Sequence, residues 1–498
     1  MKNILIAIRS IFKKGRHNVM KIVSLGIGLA VGLVLIAKVY FEQSYDDFYP
    51  DRDRVYQVWA KYQQNGGELK DYPQTSGGIA PTMQQQIPEI ETVTRYTSFG
   101  DWTFTMTDTK MKYSGRCIIA DSCFFDILPR PMLIGNAKEV LSTPMYVLIS
   151  SRIAKNIGGD VIGKNFTVDN SPGRTMTIGG VFEEVPENSH SRYDVIVSMA
   201  SAGRFMWEGS PTNMLGNDRY ISYVKLHKGV NPLALEEQVR TFVNSYFPPE
   251  EQQKVGLSID FSFHKLDNLH KELPQVKRMT WILSLLAFAL IFTAVMNYIL
   301  IVISSIVNRS KEVAVHKCYG ASENNIHGMM FGEALVHIVL SLILALLLIL
   351  AFRGTVEELL ATSLDSLLLS NGSLVLLGIC ILVFFVSGFM PGSLYARIPV
   401  ASAFRNYREN KRIWKKALLL VQFVATGFLV TMLVFVARQY TFMVNDRPGY
   451  AYENLAYCGL AGVDSTSRAK ILDEVMRLPG VAAATTVYPV SYTHLTLP

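Results

Sequence analysis

The run IVSLGIGLAVGLVLIAKVYF, Ile22–Phe41, decides the fold. Its only charged residue is Lys38, and at about 1.5 Å of rise per residue a helix of this length crosses a hydrocarbon core of about 30 Å. The segment before it carries Lys2, Arg9, Lys13, Lys14, Arg16 and Lys21 with no acid. The segment after it, EQSYDDFYP, is bulky and offers no small-residue cleavage site, so the run reads as a retained anchor and not as a signal peptide. Within it Gly28 and Gly32 form a GxxxG spacing. That spacing marks either a close-packing helix face or the ordinary glycine content of a membrane helix.

Four more apolar stretches follow, at 279–306, 326–352, 374–390 and 417–437. The 498-residue chain is 49% hydrophobic with mean hydropathy +0.22, a value that fits a mosaic of membrane and water-facing parts. Charge sets the orientation. The segments 1–21 and 391–416 are strongly basic and 307–325 is weakly so, while the rest of the chain is acidic on balance. The positive-inside rule therefore places these three segments in the cytoplasm. Residues 42–278, the short loop 353–373 and the stretch from 438 then lie outside. Residues 1–21 read as a cytoplasmic amphipathic helix, with Ile4, Leu5, Ile8 and Phe12 set against Arg9, Lys13 and Lys14. The expected fold class is an α-helical integral membrane protein with a large extracytoplasmic α+β domain between spans 1 and 2. The net charge of +7 reports this topology; no basic stripe interleaved with aromatics points to nucleic acid.

In the outer region, Asp53–Tyr62 and Met111–Ala120 read as strands, Ile79–Glu91 as a helix interrupted at Pro88, and Asn231–Phe247 as a second helix. GGDVIGKN, Gly158–Asn165, has the spacing of a phosphate-cradling loop, but the context is wrong. A helical SSRIAKNI lies between the preceding strand YVLIS and the glycines, Asn165 stands where Ser or Thr would hold magnesium, and the residues beyond alternate and break at Pro172 and Gly173 as a hairpin would. A turn is expected. Cys117 and Cys123 fall in the outer domain, where a disulfide is one open reading, while the scattered Cys318, Cys380 and Cys458 read as buried small hydrophobes. His264 and His270 lack a third metal ligand nearby and read as surface histidines. No GxSxG, HExxH or acid pair appears, so no catalytic residue, cofactor or metal site is assigned.

A partial internal repeat links Thr82–Tyr96 with Ile471–Thr486, each a helix stopping at proline before a strand. A second, incomplete outer domain thus begins over 438–490. SYTHLTLP, Ser491–Pro498, breaks this pattern and resembles translated adapter sequence, as in a truncated gene product.

Between spans 2 and 3 lies EVAVHKCYGAS, Glu312–Ser322. Lys311, Glu312 and Lys317 make a mixed-charge helix face, Gly320 a helix stop, and Ser322 with Glu323 a fresh start. Taken alone, these residues fit either an interface or a solvated loop. The segment is similar to the signature of the FtsX-like, MacB-type permeases of ABC transporters, with His316 where that family has arginine. YDDFYPDRDRVYQV, IPEIETVTRY, GGVFEEVPENSHSRYDVIVS and PGSLYARIPVASAFR agree in order, and the likeness is to the two-repeat type. The resemblance implies a MacB-like periplasmic core domain and a permease subunit of the bacterial inner membrane that is not itself an enzyme. It also implies that ATP is bound by a separate cytoplasmic ATPase dimer that would contact Glu312, Val313, Ala314, Lys317, Gly320, Ala321 and Ser322. The motion passes to the outer domain as mechanotransmission, in efflux or the handling of envelope substrates, with a periplasmic adaptor or envelope protein as a further partner. The rival reading is a membrane-anchored receptor or scaffold without ATP coupling.

Among the polar residues inside spans, three stand out. Glu333 and His337, one turn apart, fit either a proton relay or locally paired groups near the inner interface. Asn297 is expected to make an interhelical hydrogen bond.

Overall fold

Strand alternation along residues 54–264 builds one sheet. A computed structural model describes residues 17–168, 171–216, 218–369, 372–396, 399–400, 413–445, 454–460 and 465–486, in two units. In the outer unit the strands are β1 (Val55–Gln64), β2 (Lys70–Tyr72), β3 (Ile90–Met106), β4 (Lys112–Ala120), β5 (Met132–Ile134), β6 (Tyr146–Ser150), β7 (Asn165–Val168), β8 (Ser171–Phe182), β9 (Val195–Ser198), β10 (Ile221–Leu226) and β11 (Leu257–Lys265). Their order is β11-β1-β10-β3-β4-β9-β6-β8-β5, with β2 on β1 and β7 joining β3 to β8.

The long β3 divides this unit into two cores. Its first half pairs with β10 and its second with β4 and β7, and the register shifts between Ser98 and Gly100, where Gly100 takes a φ of +74°. Such a bulge bends the strand and lets its two halves serve different layers. One core gathers Val58, Met83, Val224, Phe242 and Phe261; the other gathers Trp102, Phe104, Phe166, Ile178 and Val197. Arg95, on β3, holds Asp121 with Nε 3.2 Å from Oδ2 and donates to the carbonyls of Gly77 and Pro211. Burial raises the Asp121 pKa, and the Arg95 charge works against that rise.

The helix expected over Ile79–Glu91 ends at Gln86. Ile87, just before Pro88, takes an extended φ/ψ of −112°/101°, because the proline ring disfavours a helical residue ahead of it. β3 begins at Ile90. The second expected helix is a 3₁₀ turn, Pro232–Leu235, followed by Glu236–Tyr246.

GGDVIGKN joins a helix to a strand. The helix Ser151–Ile157 follows β6, with Ser150 Oγ accepting from the Ile153 amide, and β7 begins at Asn165. Gly158, Gly159 and Gly163 have φ of +74°, +65° and +78°. The Gly163 N–H donates to the Ile178 carbonyl at 2.8 Å, so it is turned into the sheet. Lys164 lies 4.0 Å from Asp108. β7 and β8 form the expected hairpin, but Val168 faces Ser171, so Pro172 and Gly173 fall within β8 and not in the turn.

Cys117 and Cys123 are free thiols and form no disulfide, and Cys318 and Cys458 are exposed, not buried as expected. Cys117 is wholly buried in the second core and its thiol is pushed up by that burial, while the Cys123 thiol donates to the Val93 carbonyl at 3.0 Å. His264 is half-buried and stacks on Trp59 with ring centroids 4.2 Å apart.

The helical unit contains five helices long and apolar enough to cross a membrane among the described residues. They are span 1 (Asn18–Gln43), span 2 (Pro274–Ser304), span 3 (Glu323–Ala351), span 4 (Ser373–Ala396) and span 5 (Lys416–Asn445). Leu25, Leu29, Ala294, Tyr298, Met330, Ile338 and Tyr395 form the core of the first four. Span 5 is largely exposed. Span 4 runs past Met390, through Pro391, to Ala396.

Residues 186–191 belong to this unit too. Asn188 Nδ2 donates to the Ser44 carbonyl (2.7 Å), Ser189 Oγ to Asp46 Oδ1 (2.9 Å), and the Ser363 amide to Glu187 Oε2 (3.0 Å), while His190 Nδ1 lies 2.6 Å from Asp46 Oδ2. Nearby, Lys38 binds Glu42 (2.7 Å) and the Thr362 hydroxyl (2.8 Å), and His270 lies 2.6 Å from Glu42 and stacks on Tyr45. His270 is therefore a paired group in a polar collar, not a surface residue. No cluster that could hold a metal ion occurs among the described residues.

Residues 1–16, including most of the expected amphipathic helix, lie outside the described residues, as does the tail 491–498. The repeat's helix forms over Ser465–Met476, but Val481–Thr486 makes no strand; a strand needs a neighbour to take its hydrogen bonds, and none pairs with it among the described residues.

Candidate functional site: the linker between spans 2 and 3

Span 2 breaks at Ser305, and a linker helix, Ile306–Cys318, continues from the break. The Val302 carbonyl, left behind there, accepts from the Ser305 amide (3.3 Å), the Ser305 hydroxyl (2.6 Å) and the Tyr395 hydroxyl of span 4 (3.1 Å). Three donors on one carbonyl fix the joint.

The linker helix ends as its sequence requires. Gly320 takes a φ of +86°, its N–H bonds the Lys317 carbonyl (3.0 Å), and the Ala321 N–H bonds the His316 carbonyl (3.0 Å). These two bonds make a Schellman cap, which uses glycine because a left-handed residue carries no Cβ penalty there. Ser322 then caps span 3, its hydroxyl accepting from the Asn325 amide. Gly320, Ala321 and Ser322 thus set the turn.

The remaining expected contact residues sort by face. Val313 and Ala314 are buried in the bundle core, and Glu312 is half-buried. Lys317 does not join the mixed-charge outer face read from the sequence. Its Nζ donates to the Ala396 carbonyl at 2.6 Å, drawn by the negative end of span 4. The face left open is Lys311, Val315, His316, Cys318 and Tyr319, the last 88% exposed. Lys311, Val315 and Tyr319 stand four apart and form one ridge. Sequence reading passed over Val315 and Tyr319 because it looked for charge; the spacing from the buried pair Val313 and Ala314 would have found them.

The polar groups within the spans take separate partners. Glu333 lies 3.5 Å from Lys21, which is 1% exposed and also donates to Asn18 Oδ1 (3.3 Å). His337 Nδ1 lies 3.1 Å from the Tyr298 hydroxyl. Asn297 is half-buried and makes no hydrogen bond among the described residues; the helix phase turns Tyr298, one position on, toward span 3 in its place. A buried ion pair of this kind is costly to break, since removing one partner strands the other charge.

Two glycine seams bring the spans together. A Cβ on Gly28 would fall on the Ala294 methyl and one on Gly32 on Ile291, so the GxxxG of span 1 is a packing face against span 2. Gly388 and Gly392 in span 4 repeat the spacing, and there the obstructing groups are the rings of Phe331 and His327 in span 3.

Comparison with known families bears on these features. Residues 20–242 match the model of the MacB-like periplasmic core domain, and residues 284–400 match the FtsX-like permease C-terminal model. The chain belongs to the FtsX/MacB-like permeases. Such permeases are components of ABC transporters and are generally not catalytic themselves, and they partner with an ATPase subunit. The permease is also similar to solved structures. A permease-protein domain from Porphyromonas gingivalis is 33% identical (TM-score 0.40, covering 44% of this chain and 91% of that one). The periplasmic region of MacB from Actinobacillus actinomycetemcomitans is 16% identical (TM-score 0.28; 41% and 87%). The extracellular domain of the noncanonical ABC-type transporter YknZ from Gram-positive bacteria is 11% identical (TM-score 0.30; 41% and 98%). No curated protein matches the chain. The permease C-terminal match contains the linker helix, its cap, Glu333, His337 and both ends of the span 4 seam.

Proposed function

We propose that this permease couples ATP hydrolysis on a separate cytoplasmic ATPase pair to movement of its outer domain, in efflux or envelope-substrate handling at a bacterial inner membrane. The N-terminus and the linker helix are cytoplasmic, on the strength of the basic segments. The observation that carries this reading is the division of the linker helix into a fixed face and an open one. Val313, Ala314 and Lys317 fasten it to the bundle, while Lys311, Val315 and Tyr319 form a ridge with an almost fully exposed aromatic ring. An exposed tyrosine beside a valine on a helix whose other face is packed suits a docking knob, and such anchors contribute about 2 kcal/mol or more to an interface. ATP is bound by the partner and no cofactor by this chain.

The test is copurification from the native host in detergent, wild type beside Tyr319→Ala and Val315→Glu, with mass spectrometry of what is recovered. An ABC ATPase is expected with the wild type, with binding weakened roughly thirty-fold by Tyr319→Ala. Recovery of envelope proteins alone, in equal amounts from all three chains, would overturn the coupling reading in favour of a receptor.

A further inference from the structure

Span 4 is built differently on either side of Pro391. Above it, toward Ser373, the helix is mostly exposed: Leu374, Leu377, Leu382 and Phe385 all face outward. From Pro391 on, the last turn is held at both ends. Tyr395, wholly buried, bonds the Val302 carbonyl in the last turn of span 2 and lies 3.2 Å from the hydroxyl of Ser305, the joint that leads into the linker helix. Lys317, near the end of the linker helix, bonds the Ala396 carbonyl. Val313, Ala314, Tyr395 and Ala396 share one core cluster.

Between the two parts the helix is weak. Pro391 has no N–H to give the Ser387 carbonyl, and its ring crowds that turn. The Ser387 hydroxyl is buried and finds no hydrogen-bond partner among the described residues. Gly388 and Gly392 bracket the proline, and what opposes them is aromatic: Phe331, packed against Phe384 and Phe385, and His327, stacked on Phe389 at 5.9 Å. At Gly388 and Gly392 themselves span 4 puts no side chain between its backbone and these rings. A proline, or glycine with serine, is where a helix bends most readily.

We infer that the last turn of span 4, Pro391–Ala396, moves as one piece with the linker helix and swings against the rest of span 4 about Gly388–Pro391–Gly392, with Tyr395 and Lys317 as the positioning residues. A displacement of the linker helix then reaches span 3 through His327 and Phe331, and the upper part of span 4 through the pivot. The hinge supplies a route for the motion that the proposed function requires. Its test uses the permease alone, so the two readings fail separately.

Nitroxide labels on the full chain in lipid nanodiscs test the hinge by electron paramagnetic resonance. Cys318, exposed on the linker helix, is one label site, with Cys123, Cys380 and Cys458 replaced and the buried Cys117 kept. The second label goes either to Leu377→Cys, across the pivot, or to Ser393→Cys, on the same side as the linker. The distance distribution across the pivot is expected to be about twice as wide as that on the same side. Pro391→Ala, which restores the missing helix donor, is expected to narrow it to the same-side width. Tyr395→Phe combined with Lys317→Met is expected to widen the same-side distribution. Equal widths in the wild type, or a cross-pivot width unmoved by Pro391→Ala, would overturn the hinge. So would a same-side distribution unmoved by the double substitution.

Discussion

Glycine does opposite work in the two units. In span 1, Gly28 and Gly32 have ordinary helical torsions and no room: a methyl at either would meet Ala294 or Ile291. In the outer domain, Gly158, Gly159 and Gly163 have nothing within 4 Å of an added Cβ, yet each sits at positive φ. Volume selects the first pair and torsion the second set. Both carry a recognisable motif spacing, GxxxG in one and GxxxxGK in the other. A spacing therefore says where glycines are, and only the surroundings say what they are for.

The comparison breaks most readily at Gly28. Gly28→Leu is expected to separate spans 1 and 2 at a cost of about 3 kcal/mol or more, read as loss of the monodisperse peak in detergent size exclusion. If volume alone is at issue, Gly28→Ala paired with Ala294→Gly should recover most of the thermal midpoint that Gly28→Ala loses by itself. The span 4 seam comes next. Gly388→Ala meets a ring edge instead of a packed methyl, and a drop of about 1.5 kcal/mol is expected, with Phe331→Leu restoring part of it. In the outer domain, Gly163→Ala should cost about 1 kcal/mol through torsion, and Gly163→Asn less, because asparagine tolerates the left-handed region. The smallest effect belongs to Lys164→Met. Its partner Asp108 is half exposed, so stability should change by less than about 0.5 kcal/mol, and ATP titration should give the same heat signal before and after the change.

Much of this was legible in the sequence because it rests on local chemistry. The five apolar runs, the glycine stop at Gly320 and the serine start at Ser322 each depend on a few neighbouring residues, and they appear where the spacing put them. The strands read at 53–62, 111–120 and 146–150 and the two expected helices form within about five residues of those bounds, whereas most of the other strands of the sheet were not read. What could not be read depended on which face of a helix meets another. Lys317 reads as an exposed cation until span 4 brings the Ala396 carbonyl to it. Asn297 reads as the interhelical donor until the phase of span 2 gives that place to Tyr298. His264 and His270 read as solvated until Trp59, Tyr45 and Glu42 close over them. The second GxxxG, Gly388 to Gly392, was present in the sequence but lay across Pro391, which had been read as the end of the span.

The six-residue excursion at 186–191 bears on how the outer domain can be handled as a reagent. A fragment cut at 54 and 264 would carry Glu187, Asn188, Ser189 and His190 but leave behind Ser44, Asp46 and Ser363, their partners in the intact chain. That strip would enter solution with its polar groups rehydrated and its backbone released, a handle for proteases and a source of heterogeneity in crystals. Starting the fragment at residue 44 keeps Ser44 and Asp46, and with them the native hold on Asn188, Ser189 and His190, while the bond from Ser363 to Glu187 is still lost.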